Sequence, residues 1–92
     1  MMTTRESNIR RALSIAAQLK AQSGDWEPRI MACVNESNAK AEAAKMRRAN
    51  GETSFADALD EIADRHAVYA VETAQQIEHD VAETRAWFAA RK

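Results

Sequence analysis

The sequence predicts an all-α fold of three helices, two shorter ones packed on one long C-terminal helix through which the chain also oligomerises. Three observations predict it. Of 92 residues 20 are alanine, while glycine occurs twice and proline once, against usual shares of about 7% and 5% for those two. Strong helix formers abound and β-branched residues are few. Stop signals fall at only two places, Ser23-Gly24-Asp25 and Asn50-Gly51, each placing a residue tolerant of positive φ beside glycine. At 10.3 kDa the chain has room for one modest core, so residues 1–92 read as a single helical domain.

The first helix is expected over about residues 4–22. Thr3 and Glu6 have the spacing of a capping box, in which each side chain satisfies an orphan amide of the other. Ile9, Leu13, Ala16 and Ala17 form one apolar stripe, and Ala12, Ile15 and Leu19 form another beside it. The second helix is expected over about 26–49, with Asp25 as cap and Pro28 in the first turn, where a missing N–H is harmless. Ile30, Met31 and Val34 give it a firm start that fades into Ala41, Ala44 and Met46. Its middle, Asn35-Glu36-Ser37-Asn38, is polar on every side, which predicts a lightly packed body.

The third helix is expected over about 54–91, capped at Thr53 or Ser54 with Asp57 completing a box. Phe55, Leu59, Ile62, His66, Tyr69, Thr73, Ile77, Val81, Thr84 and Phe88 recur in steps of three and four. That periodicity marks one face of a single helix, read as its inner face. Arg85, Arg91 and Lys92 place cations near its C-terminus, as the helix dipole prefers.

Length then bears on function. At about 1.5 Å per residue the helices span roughly 28, 33 and 54 Å. Folding the second back on the third sets Trp26 level with Gln75 or Gln76 and leaves everything beyond about Glu78 overhanging. The overhang carries Val81, Arg85, Trp87 and Phe88, a candidate contact patch, because an uncovered apolar helix is rare on a monomer. Trp87 and Phe88 have a plainer alternative, which is to close the bundle onto Trp26. Residues 1–50 hold 9 Lys and Arg against 5 Asp and Glu, and residues 51–92 hold 4 against 9. Opposite halves suit a hairpin packing on itself or copies packing head to tail. A homodimer with coiled-coil-like antiparallel third helices is the expected assembly.

Chemistry is sparse. Eight acids, from Asp57 to Glu83, crowd the third helix together with His79, but the Glu-x-x-His of carboxylate-bridged metal bundles is absent: Ala63 precedes His66 by three residues, and Gln76 precedes His79. His79 and Glu83 could share an ion only weakly. His66, on the apolar face, is a candidate base or pH sensor, or simply a half-buried hydrogen-bonded histidine. Cys33 lies on an apolar face, where a thiol behaves as a small hydrophobe. No glycine-rich phosphate loop or nucleophile elbow exists. No catalytic residue, metal or cofactor is therefore assigned, and an enzyme is not expected.

Net charge is −1, which does not indicate a nucleic-acid binder overall. A patch of Arg5, Arg10, Arg11, Arg47 and Arg48 would form if the helix ends converged, and could meet nucleic acid or an acidic partner. A helix-turn-helix arrangement is disfavoured, because the first turns of the third helix present Asp57, Asp60, Glu61 and Asp64 and no base. A lone cysteine, a polar N-terminus and the lack of any 18-residue apolar run point to the cytoplasm and away from membranes. Abundant Ala and Arg hint at a GC-rich bacterial genome. The expected function is a small non-enzymatic protein-binding module, such as an adaptor, an assembly factor or a stoichiometric inhibitor of the kind mobile elements encode. A nucleic-acid-associated protein is the alternative, and a weak metal- or His-dependent enzyme the third.

Overall fold

The computed structural model describes residues 1–23 and 28–91. It has three helices, α1 (Thr4–Ser23), α2 (Pro28–Ala49) and α3 (Thr53–Ala89), of 20, 22 and 37 residues. Asp25 as a cap, Trp26 as a closing partner and Lys92 as a terminal cation lie outside the described residues. Half of the predicted box forms: the Thr3 hydroxyl accepts from the Glu6 amide at 3.1 Å, while the Glu6 carboxylate takes the Thr3 hydroxyl at 3.2 Å rather than the Thr3 amide. Pro28 opens α2, where its fixed φ is already helical.

The turn between α2 and α3 is closed by two backbone bonds. The Glu52 amide reaches the Arg47 carbonyl at 2.9 Å and the Gly51 amide reaches Arg48 at 3.1 Å, the pairing of a Schellman motif. Gly51 takes φ of 80°, which costs glycine nothing. The cap of α3 differs from expectation. Glu52 is its N-cap residue and makes no side-chain cap bond, because its carboxylate is taken by Arg47 at 3.0 Å.

Both shorter helices pack on α3, and α2 does so most extensively. Arg5, near the start of α1, bonds Asn38 at 2.9 Å, and Gln22, near its end, accepts from Arg85 of α3 through its backbone carbonyl at 3.0 Å. Thus α1 runs parallel to α3, and α2 runs antiparallel to both.

The core corrects the expected inner face of α3. Its buried residues are Ala56, Ala63, Ala67, Ala70, Val71 and Ala74. Onto this floor of methyl groups α1 sets Ile9, Ile15 and Leu19, and α2 sets Ile30 and Val34. Short side chains let helix axes approach toward the 8 Å end of the usual range, so the bulk comes from the partner helices. Phe55, Tyr69 and Phe88 are instead 52%, 45% and 60% exposed. Leu59, Ile62, His66, Thr73, Ile77 and Val81 are half-buried. In α1, Ala12, Ile15 and Leu19 are buried with Ile9 and Ala16, while Leu13 and Ala17 face solvent.

The polar middle of α2 is not loosely packed. Ser37 is fully buried; its hydroxyl donates to the Ala63 carbonyl at 2.7 Å and accepts from Arg5 at 3.4 Å. One small hydroxyl ties all three helices together at their crossing.

Candidate functional site

The structure divides the predicted contact patch in two. Val81 packs against the core, and Arg85 grips the last turn of α1 through the Gln22 carbonyl, where a cation complements the helix dipole. Both belong to the fold, so the free overhang begins after Arg85 rather than after Glu78. The physical reason is direction: α1 runs parallel to α3 and its end reaches Arg85.

Trp87 and Phe88 remain outside, 52% and 60% exposed. Their rings meet edge to face with centroids 5.0 Å apart, an arrangement that the quadrupoles of two aromatic rings favour. The Arg91 guanidinium lies 3.8 Å over the indole, an attractive cation–π contact. The last turns of α3 thus present a stiffened aromatic pair with a cation on its back.

A second apolar surface escaped the sequence reading, which assigned its residues to the core. Phe55, Leu59, Ile62, His66, Tyr69 and Thr73 run along one flank of α3 in steps of 4, 3, 4, 3 and 4. The Arg47 guanidinium covers the Phe55 ring at 4.5 Å, and His66 meets Tyr69 edge to face at 5.9 Å. The signal for its exposure was present in the alanines: 56, 63, 67, 70 and 74 form a rival stripe that competes for the same role.

The basic residues are brought together only in part. Arg5 and Arg48 line one groove with Lys45, but Glu6, Asp60 and Asp64 line it too, and Arg10 borders the adjoining depression. Arg48 donates to Asp57 at 2.7 Å and to Asp60 at 2.9 Å. These bonds, Asp60's first, raise its pKa above the usual arginine value. Arg47 is engaged by Glu52 and Phe55 on the other flank, and Arg11 is exposed on α1. Basic and acidic halves therefore meet within the hairpin, and the groove is of mixed charge.

His79 and Glu83 sit 3.4 Å apart on an exposed stretch of α3. Among the described residues no three His, Cys, Asp or Glu side chains converge as metal ligands. Cys33 is free and half-buried beside the core. Within the described residues no helix is long and apolar enough to cross a membrane. Compared with protein-family models, curated proteins and solved structures, the chain matches none of them.

Proposed function

We propose that this chain is a small non-enzymatic helical module that binds another protein through the end of α3, acting as an adaptor, assembly factor or stoichiometric inhibitor in a reducing, cytoplasmic setting. The observation that carries this reading is the inversion of α3, which buries alanines and leaves Phe55, Trp87 and Phe88 more than half exposed and Tyr69 nearly so. Large apolar side chains held rigid at a surface are what protein partners bury, and tryptophan is prominent among residues that dominate interface energy. The contact residues in this reading are Trp87 and Phe88, with Arg91 stiffening the indole. Val81 and Arg85 support them by fixing α3 to the core. The nucleic-acid alternative is weakened by the acids that engage Arg47 and Arg48 and share the Arg5 groove.

The test is affinity capture with the tagged chain, followed by titration of the captured partner against the Trp87→Ala/Phe88→Ala variant. At about 2 kcal/mol per hot-spot aromatic, and so about 4 kcal/mol for the pair, the variant should bind roughly several hundredfold more weakly with an unchanged melting temperature. A variant that melts several degrees lower yet binds normally would make the pair a structural closure and end this reading.

A further inference from the structure

We infer that the flank of α3 from Phe55 to Thr73 is the seam of a homodimer, in which α3 of a second copy docks antiparallel, centred between His66 and Tyr69. The inference goes beyond the partner-binding tip and uses different residues. The steps of 4, 3, 4, 3 and 4 are those of a coiled-coil seam, in which each side chain enters a hole formed by the facing helix. All six residues are half-buried or exposed in the single chain, so beyond the Arg47 guanidinium over Phe55 the seam is open.

Charge selects a second copy as the occupant. Arg65 and Glu72 each immediately precede a seam residue, His66 and Thr73, and so stand along one shoulder of the seam. Both are exposed, and neither makes an ion pair within the chain among the described residues. Within one helix they lie seven residues, or roughly 10 Å, apart, too far to pair with each other. In an antiparallel pair, His66 faces Tyr69 of the second copy and Ile62 faces its Thr73. Arg65 then falls opposite Glu72 of the second copy, and the two-fold axis makes that bridge twice. One segment thus supplies both halves of its own complement, in the shoulder positions where charges set orientation and partner choice.

The polar members of the seam fit the same assignment. Two copies bring two His66–Tyr69 pairs together at the axis, where imidazole and phenol can donate and accept across the interface. Polar residues at seam positions fix register at some expense in stability.

Sedimentation equilibrium on the full chain at micromolar concentration tests this, and should give twice the chain mass of 10.3 kDa. Arg65→Glu and Glu72→Arg should each weaken the dimer about tenfold or more, since each sets like charges together at two symmetric places. The double variant Arg65→Glu/Glu72→Arg should recover most of that loss, because the bridge is remade with its signs exchanged. Circular dichroism should give the same helix content for all three. The Trp87→Ala/Phe88→Ala variant should dimerise normally, so failure at the tip and failure at the seam read out separately. A monomer at every concentration, single variants that dimerise normally, or a double variant no better than the singles would each overturn the seam.

Discussion

Ser37 illustrates how much one atom can do in a chain with so little bulk. A hydroxyl with no exposed surface is tolerable only when its hydrogen-bonding capacity is used, and here it donates to Ala63 and accepts from Arg5. Ser37→Ala should cost about 1 kcal/mol, lowering the melting temperature of a chain this size by roughly 4–8 °C, as calorimetry would detect. Ser37→Val should cost more, since it adds bulk at a fully buried site against the Ala63 carbonyl. This role was not legible in the sequence. Asn35-Glu36-Ser37-Asn38 reads as a surface stretch because a periodicity argument sees polarity and not the carbonyl or guanidinium that meets it. The Thr3 cap, by contrast, was legible, because its partner lies three residues away in the same chain.

At the scale of the elements, helix number and the Asn50-Gly51 turn were readable, and the cap and buried face of α3 were not. The Asn50-Gly51 stop works as read, since Gly51 has the positive φ that its position requires. The face was misassigned because large apolar residues carry more transfer energy than alanines, and a hydrophobic pattern weights them accordingly. Close approach of three helices reverses that weighting, because only a methyl group fits between axes drawn together. Substitutions on the two faces should therefore separate. Ala67→Leu forces a large side chain into a fully buried methyl site and should destabilise by about 1–3 kcal/mol or more. Tyr69→Ala, on the 45% exposed flank, should change monomer stability by less than about 1 kcal/mol and act on self-association instead. Urea melts of both variants at low protein concentration check the ordering. A Tyr69→Ala cost equal to that of Ala67→Leu would restore the flank to the core.

For the whole molecule, shape distinguishes the ways in which two copies can meet. The single chain is a rod of 63 × 23 × 17 Å with a radius of gyration of 16.6 Å, and its two apolar surfaces lead to different assemblies. Pairing along the seam is centred between His66 and Tyr69, a few residues from the midpoint of α3 (Thr53–Ala89). At about 1.5 Å per residue the copies then slide past one another by only roughly 10 Å. Such a dimer would be about 75 Å long and roughly twice as thick as the monomer. Pairing through Trp87 and Phe88 would join the rods end to end and approach about 120 Å at the same rise per residue. Small-angle scattering reads the maximum dimension directly, and the seam predicts the shorter value together with a dimer that weakens as salt screens the exposed Arg65–Glu72 bridges. A maximum dimension well above about 100 Å would assign self-association to the tip, because no antiparallel register of the seam reaches it with helices of this length.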